Sequence, residues 1–442
     1  MKILVLIDNN LQHDNRVKRH IQAMLEQGHQ VKVVAMPFPK AVAGYAAPGM
    51  EMSFWEPKHL SLDPNKIRGL CDRLGLTGHV FAAFPAAIAF PESLDEVMSM
   101  SRRIQRHQLS QRWWDGFEPI CREAASVLDE YQESLHAFEL MLQWAEYVCD
   151  MEADCVYCND LLSLPAGVAH KLKNGSRVIF DAHEIYYDMA PGHQTALWKQ
   201  SMALLERSLV SEVHTIFGVS RSHVEWMRKT YQPKCEVIWV PNCVGLGKEI
   251  TLPAARPSHG PLRVYYHGAS DPWRGLAKIV EAVALTPDTE LILRCFPSET
   301  LDAALEQASA LGIRGRIRVL PLASANELIS AIREEAEIGI HAHECPTALN
   351  VKVCLANKFI EYMLAGIPII TAPLEEQARL VRENQIGYVL RDNSPAEISQ
   401  GLVWAMQNRD KFAEMGQRAF EAGSKEFLWP TVRARLLRAL MA

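Results

Sequence analysis

The sequence of 442 residues lacks several features that would place it in a large class of proteins. No apolar run approaches the ~20 residues that a membrane-spanning helix needs. The formal net charge is −6, so no overall basic field exists to hold nucleic acid. The first residues, MKILVLIDNN, turn polar after a short apolar run and contain no small-residue cleavage site, which is typical of a first β-strand and not of a signal peptide. The sequence therefore predicts a globular, cytoplasmic protein that binds no nucleic acid.

Cysteine is also sparse, with ten residues spread over the whole length. Several of them, such as Cys155 and Cys295, lie in apolar, strand-like context, which favours reduced, buried thiols over a disulfide framework. Cys155 and Cys158 form a single CxxC pair that either serves metal or redox chemistry or simply packs within a strand. The absence of a second pair favours packing.

The short motifs of several enzyme classes are missing. The sequence contains no Walker A motif, no HExxH, no G-x-S-x-G and no EF-hand loop. No G-x-G-x-x-G follows Ile7 or Tyr266, which argues against a nicotinamide-dependent oxidoreductase. No DxD-type acidic pair follows a strand in a way that demands Mg²⁺, so we expect no metal and no resident cofactor.

What the sequence does contain is an alternation of strands and helices in two series. A continuous apolar run from Ile3 to Ile7 is typical of a strand buried on both faces, and Val17, Ile21 and Met24 follow at helical spacing. A helix that joins two such strands must cross over, which predicts a parallel sheet. Further strands are predicted near residues 31–35, 155–158, 177–180, 213–219, 236–240, 262–266, 290–295, 316–320, 338–341, 368–371 and 388–390.

Two regions interrupt the alternation. Residues 41–91 have no clear period and are followed by helices predicted over about 93–109 and 120–149, and the proline-rich stretch 245–261 predicts an interdomain linker. The predicted fold is α/β, with two Rossmann-like, doubly wound parallel-sheet domains that face each other across a cleft. The expected boundaries are 1–245 with a divergent helical insertion over 41–151, 246–425, and a final helix over 426–442 that crosses back to the first domain.

In doubly wound sheets a ligand binds beyond the carboxyl ends of the strands, so the loops that follow the strands are the candidate sites. A helix that begins near Asn357 would present its N–H groups and its positive end to a diphosphate. Glu361 lies one turn further on, where a carboxylate can accept both hydroxyls of a ribose, and Gly366 would end the helix. The alternative is a surface helix with an asparagine cap and a Lys358–Glu361 ion pair.

Three other loops are candidates. Gly268 and Arg274 lie in HGASDPWRGL, where the glycine allows close backbone approach and the arginine either binds phosphate or is merely solvated. His183 follows a strand in FDAHEIYY and either bonds a sugar hydroxyl or phosphate or is satisfied within the fold; His341 and His343 are candidates of the same kind. In the first loop Asp14 or Asn15 would cap the next helix, and Arg16 in its first turn indicates a nearby anion.

These four loops, in this order, resemble those of retaining glycosyltransferases of the GT-B fold, family GT4. The resemblance covers residues 1–40 and about 152–442, and it rests on DNRVKRHIQAMLEQGHQVKVV, CVYCNDLLSLPAGVAHKLKNGSRVIFDAHEIYYD, GVSRSHVEWMRKTY with VIWVPN, and HGASDPWRGL with NKFIEYMLAGIPIITAP. It implies an enzyme that moves a sugar from a UDP- or GDP-linked donor to an acceptor hydroxyl with retained anomeric configuration and without a metal. The acceptor would be a glycan, a lipid-linked or a small molecule, as in bacterial polysaccharide, glycolipid or glycoconjugate synthesis.

The resemblance also implies roles for individual residues. The catalytic set comprises His183 near the reacting sugar, Arg274 on the donor diphosphate and Glu361 on the ribose. The donor-binding set comprises Gly268, Arg274, Asn357, Lys358, Phe359, Glu361 and Pro321. The acceptor or phosphate side comprises Asn10, Asp14, Arg16, Asp160, His183 and Glu184.

Two positions depart from the family pattern. The first of the family's paired glutamates is replaced by Val353, and the second basic diphosphate ligand would fall at Ala269. Lys358, Lys352 or Arg16 would have to supply the missing charge. Two alternatives to a transferase therefore stay open: a GT-B sugar-nucleotide epimerase and a GT-B binding protein without turnover.

The insertion over 41–151 is expected to shape acceptor choice. It combines apolar residues with arginines next to two tryptophans, namely Phe81, Phe84, Phe90, Arg102, Arg103, Arg106, Arg112, Trp113 and Trp114. This composition predicts either peripheral contact with the anionic inner face of the plasma membrane or a packed subdomain with a solvated basic face.

Overall fold

The computed structural model describes residues 1–9, 11, 14–36, 47–58, 60, 63–83, 132–189, 194–244, 260–344 and 348–441. Within these ranges the chain forms two compact units. The first unit contains the described residues of 1–188, 194–218 and 227–238, and the second contains residue 189 with 219–226 and 239–441.

The first unit is built on a seven-stranded sheet in the order β3-β2-β1-β4-β5-β6-β7. The strands are β1 (Lys2–Ile7), β2 (Gln30–Ala35), β3 (Met50–Phe54), β4 (Cys155–Asn159), β5 (Arg177–Ala182), β6 (Thr215–Gly218) and β7 (Glu236–Trp239). Strand β1 pairs in parallel with β2 on one side and with β4 on the other, so the strand order reverses between β1 and β4. Such a reversal opens a crevice beyond the carboxyl ends of the strands, and this is where doubly wound sheets bind ligands.

Helices flank this sheet. They are α1 (Asn15–Glu26), α2 (Pro64–Leu74), α3 (Thr77–Ala83), α4 (132–148), α5 (Asp160–Asn174), α6 (Ala196–Leu209) and the second half of α7 (Arg221–Tyr231), whose first six residues belong to the second unit. Helix α1 forms as its sequence predicts: the Asp14 side chain accepts the Val17 N–H at 2.9 Å as an N-cap, and the apolar stripe of the helix is buried.

The second unit has the same topology on a six-stranded sheet, in the order β10-β9-β8-β11-β12-β13. Its strands are β8 (Leu262–Gly268), β9 (Thr289–Cys295), β10 (Ile317–Val319), β11 (Ile338–His341), β12 (Ile369–Thr371) and β13 (Gly387–Val389). All the strand pairs are parallel, and the order reverses between β8 and β11. The helices are α8 (Leu276–Leu285), α9 (Glu299–Ala310), α10 (Leu328–Glu335), α11 (Leu349–Val353), α12 (Asn357–Ala365), α13 (Glu375–Asn384), α14 (Pro395–Gln407), α15 (Phe412–Phe427) and α16 (Trp429–Met441).

The two predicted series of parallel strands and helices are confirmed. The structure adds an edge strand, β3, that the sequence pattern did not indicate, together with α2 and α3. Strand β3 has one neighbour, β2, and its residues are only partly buried, so MEMSF lacks the apolar pattern of a central strand. Helix α2 begins with Asp63 as its cap and Pro64 at its first position, which is a local start signal.

The CxxC pair packs within β4. Both thiols are buried and free, and burial raises the pKa of Cys155 to about 12 and that of Cys158 still further. A Cβ placed on Gly167 of α5 would lie 2.2 Å from the Cys158 sulfur, so helix and strand are in direct contact there. This close packing of Cys158 agrees with the interpretation that the pair packs within a strand.

Several sequence predictions concern residues outside the described ranges. These include the helix predicted over 93–109, Asn10, most of the 245–261 linker, and the basic and aromatic set from Phe84 to Trp114. The helix predicted over 120–149 is described from residue 132 onward, where Leu135, Phe138 and Leu142 are buried as its apolar stripe predicts. None of the helices in the described ranges combines the length and the apolar character needed to cross a membrane.

Candidate functional site

At the strand-order reversal of the second sheet, helix α12 begins beside the ends of β8 and β11. Lys358, the second residue of α12, is 5% exposed, and its ammonium lies 3.8 Å from the centroid of the Tyr266 ring. Its Nζ has no hydrogen-bond partner among the described residues. Burial, together with the positive charge of Arg274, lowers the pKa of Lys358 to about 7. A buried cation without a counter-ion at the positive end of a helix favours the binding of an anion.

Glu361 lies one turn along the same helix and is held by a histidine. Its Oε2 accepts a hydrogen bond from His267 Nε2 at 2.7 Å, and burial lowers the pKa of His267 in spite of the carboxylate. The neutral imidazole therefore donates through Nε2, while the Glu361 side chain stays 21% exposed. The carboxylate is thus fixed and still reachable by a ligand.

The alternative of a surface helix is wrong. The residue before α12 is Ala356, which provides no side-chain cap, and Asn357 is the first helical residue. Lys358 is buried and Glu361 pairs with His267, so the expected Lys358–Glu361 ion pair does not form. The helix ends at Gly366, in the left-handed conformation (φ 65°), as predicted.

Arg274 closes a short 3₁₀ turn after β8. Its guanidinium stacks over the Trp273 ring at 4.5 Å, and its Nε donates to the Asp271 carboxylate at 2.8 Å. Its side chain is 23% exposed, so it is held in place and still accessible. The next residue, Gly275, has φ 78°, and a Cβ there would lie 2.2 Å from the Ala342 carbonyl oxygen. The Arg274 loop therefore packs directly on the backbone that follows β11.

Two buried histidines lie on that backbone. The ring centroids of His341 and His343 are 3.9 Å apart. Burial and the charge of Lys358 lower the pKa of both rings well below the ordinary value, and Arg274 contributes to both shifts. Both imidazoles are therefore neutral.

The other residues of the predicted donor set lie in different settings. Gly268 ends β8 with φ 93°, and a Cβ there would be 3.9 Å from Lys358 Cε, so the glycine is required by its conformation. The Phe359 side chain is fully buried in the hydrophobic core of the unit. Pro321 is exposed after β10, and its carbonyl accepts a hydrogen bond from the Arg294 guanidinium.

The structure also places the two departures from the family pattern. Val353 is buried, and its carbonyl accepts a hydrogen bond from the Ser220 hydroxyl. The Ala269 carbonyl accepts from the Tyr266 hydroxyl at 2.6 Å. Of the three cations considered as a replacement for the missing charge, Lys358 lies beside this loop, whereas Lys352 is exposed.

In the first unit, Asp181 at the end of β5 is the centre of a buried polar network. Arg16 binds both carboxylate oxygens, with Nη2–Oδ1 at 2.6 Å and Nε–Oδ2 at 3.1 Å, and the Tyr157 hydroxyl donates to Oδ2 at 2.7 Å. His20 Nδ1 lies 2.7 Å from the same hydroxyl. Burial alone would raise the pKa of Asp181, but Arg16 and His183 lower it well below its usual range. The positive charge of Arg16 is therefore compensated by the Asp181 carboxylate within the unit.

His183 lies between two carboxylates. Its Nε2 is 3.1 Å from Asp181 Oδ2, and its Nδ1 is 3.4 Å from Asp160 Oδ2. Burial alone would lower the pKa of His183, but the two carboxylates raise it to about 9. Burial raises the pKa of Asp160 to about 7 in spite of the imidazole. Both ring nitrogens of His183 thus face carboxylate oxygens.

Asp160 sits at the β4–α5 junction in a backbone conformation that aspartate rarely adopts, with φ 58°. Its Oδ1 accepts the His183 N–H at 2.8 Å. Asp8, at the end of β1, is largely buried with a raised pKa, and Glu184 is exposed next to His183. The reversal of the first sheet therefore presents carboxylates, while Asp14 serves as the cap of α1.

Sequence reasoning did not select His20, Tyr157, Asp181 or His267. Asp181 and Arg16 are 165 positions apart, and no local spacing signals their pairing. His267 could have been considered, since it ends a predicted strand in the same segment as Gly268.

Two doubly wound parallel sheets in series, each with a reversal of strand order, are the architecture of the two-domain class known as GT-B. Solved glycosyltransferase structures resemble the chain over almost its whole length. Sucrose-phosphate synthase from Thermosynechococcus elongatus is 12% identical with a TM-score of 0.64, covering 100% of this chain and 99% of that one. Anabaena HepE in complex with UDP is 14% identical with a TM-score of 0.63, covering 100% of both chains.

A glycosyltransferase from Rickettsia africae is 10% identical with a TM-score of 0.61, covering 99% of this chain and 97% of that one. At these identities the likeness establishes the fold, and the GT-B fold expected from the sequence is confirmed. No protein-family model matches the chain, and no curated protein matches it in sequence.

Replacing Gly275 by alanine tests whether the Arg274 loop must lie against the backbone of Ala342, directly after strand β11. The added Cβ meets the Ala342 carbonyl in a left-handed conformation, so we expect a loss of about 3 kcal/mol or more in the free energy of unfolding. The matched control is Gly312→Ala, with φ 69° and open space around the site, which should lose only about 1 kcal/mol. Urea denaturation gives both values, and equal losses would contradict the close packing.

Replacing Asp181 by asparagine removes the counter-charge of a buried arginine. We expect the free energy of unfolding to fall by about 3–5 kcal/mol, because Arg16 is left buried and uncompensated. The control is Asp150→Asn, whose exposed partner is Lys173 and whose effect should stay within about 0.5 kcal/mol. Denaturant titration of both variants decides, and a small effect at Asp181 would show that the pair is dispensable.

Proposed function

We propose that the chain is a glycosyltransferase that moves a sugar from a nucleoside-diphosphate donor to an acceptor hydroxyl. The observation that carries the proposal is the buried, unpaired ammonium of Lys358 at the start of α12, one turn before the fixed carboxylate of Glu361. A diphosphate would pair with the Lys358 ammonium, and ribose hydroxyls would donate to the Glu361 carboxylate. The fold supports the proposal, since HepE is solved with UDP, with UDP and glucose, and with UDP-glucose.

In this proposal the second unit holds the donor. The diphosphate lies at the N-terminus of α12, where Lys358 and Arg274 supply positive charge and the first helical N–H groups point outward. Glu361 accepts the ribose hydroxyls, and its orientation is set by His267. UDP is the first nucleotide to test because of the HepE complexes, and GDP is the second.

The chemical step follows from the same charges. As the glycosidic bond breaks, the departing diphosphate gains negative charge, and the two cations and the helix end stabilise it without a metal. The acceptor oxygen forms the new bond to the anomeric carbon, and its proton passes to the leaving phosphate. We propose retention of the anomeric configuration and membership of family GT4 on the sequence segments that resemble it.

The first unit would hold the acceptor. Its reversal offers Asp8, Asp160 and Glu184 as hydrogen-bond acceptors for hydroxyl groups, with His183 keeping Asp160 in place. Arg16 is paired with Asp181, so the proposal assigns it no phosphate contact. We therefore propose a hydroxyl-rich acceptor, such as a glycan, a glycolipid head or a small glycoside, and a cytoplasmic role in polysaccharide or glycoconjugate synthesis. Peripheral membrane contact stays a prediction.

A binding screen tests the donor site. UDP-, GDP- and ADP-sugars are expected to raise the melting temperature if they bind the folded state, and Lys358→Met should weaken the best of them about tenfold or more. Lys352→Met is the matched control, because that lysine is exposed on the preceding helix. Glu361→Ala and Arg274→Ala should each reduce turnover about tenfold. The proposal would be rejected if none of the nucleotide sugars raised the melting temperature.

Product analysis then separates the rival functions. Epimerised donor formed without an acceptor would identify an epimerase, and donor binding without transfer or hydrolysis would identify a binding protein. Donor binding must be measured separately from transfer, because the apolar Val353 stands where the family has its first glutamate.

The affinity for UDP should depend on pH through Lys358. With a pKa of about 7 in the empty site, the lysine carries its charge in only about one-tenth of the molecules at pH 8. Because the bound diphosphate needs the charged form, affinity should fall about 25-fold as pH rises from 6.5 to 8.5. The secondary phosphate of UDP titrates near pH ~6, below this window. Calorimetry should show this fall in UDP affinity with pH in the native protein and in Lys352→Met. In Lys358→Met the affinity should no longer depend on pH over this range.

A further inference from the structure

Two buried nitrogens near Lys358 have no role in the site described so far. These are the Nε2 atoms of His341 and His343, which lack hydrogen-bond partners among the described residues. We propose, resting on the proposed donor site, that His341 and His343 form a second wall of that site and donate Nε2–H hydrogen bonds to the phosphate oxygens of a nucleoside diphosphate.

The two imidazoles belong to a row of planar groups that begins at the Arg274 guanidinium. This guanidinium lies 4.5 Å from the centroid of the Trp273 ring, and the Trp273 and His343 rings are close to perpendicular, with centroids 5.0 Å apart. The His343 and His341 centroids are 3.9 Å apart, and the perpendicular ring of Phe359 lies 6.2 Å beyond His341. Phe359 follows Lys358 in α12. The row therefore runs from Arg274 to the helix that carries Lys358.

The loop that carries the histidines is held firmly. The Glu344 N–H donates to the Trp273 carbonyl at 2.9 Å, and the Glu344 side chain pairs with Lys278 at 2.9 Å. On the other side the Ala372 N–H donates to the His341 carbonyl at 2.8 Å. Imidazoles on such a loop are placed before a ligand arrives, which lowers the entropic cost of binding.

A structural histidine in the same protein shows the contrast. His170 is equally buried, and both of its ring nitrogens are bonded, Nδ1 to Ser176 Oγ at 2.8 Å and Nε2 to the Met151 carbonyl at 2.8 Å. His341 and His343 are neutral and buried but leave Nε2 without a partner, and a buried polar atom in that state is costly. Their position beside Lys358 and Arg274 indicates an anion as the missing partner.

Calorimetry with UDP and GDP tests the inference on paired variants. His343→Leu and His341→Leu remove the donor, and each should weaken UDP or GDP binding about tenfold, as expected for a hydrogen bond to a charged group. His343→Gln and His341→Gln keep an N–H donor and should restore most of that loss. His29→Leu, in the first unit, is the control and should bind like the native protein. Thermal unfolding without nucleotide shows whether each variant folds.

A second measurement is made on the native protein, so it does not depend on nucleotide binding by any variant. In native protein labelled with ¹⁵N-histidine, UDP should shift two imidazole Nε2 signals, which the spectrum of the His341→Gln, His343→Gln double variant identifies. The role of the histidines would be overturned if the native protein bound UDP, the leucine variants bound it with an affinity within about twofold of the native value, and the Nε2 signals did not shift. The proposed function would then stay intact. If the native protein binds neither nucleotide, the proposed function falls and this inference falls with it.

Discussion

The second unit depends on one electrostatic constraint, the burial of the Lys358 ammonium where the strand order reverses. A cation in such a place needs compensation; the Lys358 ammonium lies over the face of the Tyr266 ring and has no hydrogen-bond partner among the described residues. The left-handed Gly268 and the close contact at Gly275 bring the loops after β8 and β11 to this point. The packing of the unit thus places positive charge where the strand order reverses, and in the proposed function an anion compensates this charge.

The two sheets share a topology but differ in how their reversals treat charge. In the first unit Arg16, Tyr157 and His183 converge on Asp181, so the charge of that carboxylate is satisfied inside the fold. In the second unit the nitrogens of Lys358, His341 and His343 are left without hydrogen-bond partners. In the proposed function the first unit binds the hydroxyl groups of the acceptor, and the second binds the diphosphate of the donor. The second unit then supplies the positive charge that stabilises the leaving group.

Much of the fold could be read from the sequence, because strands buried on both faces are continuous apolar runs and helices repeat every three to four residues. The edge strand β3 escaped since an edge strand needs neither pattern. The start of α12 also agrees with sequence reasoning. The direction of individual side chains could not be predicted: Phe359 enters the core, Arg16 pairs with Asp181, and Lys358 is buried instead of forming the surface ion pair given as the alternative. These outcomes depend on contacts between residues far apart in sequence.

The departures at Val353 and Ala269 take on a definite meaning in this geometry. The loop position of Ala269 carries no charge, and its carbonyl is bonded to Tyr266, whose ring faces the Lys358 ammonium. Positive charge therefore reaches the end of β8 from helix α12 and not from the loop itself. Glu361 lies on that same helix, so in the proposed function the diphosphate and ribose ligands belong to one rigid element. Their spacing is then fixed by the helical turn, and a displacement of α12 would move both contacts together, whereas ligands on separate loops can shift independently.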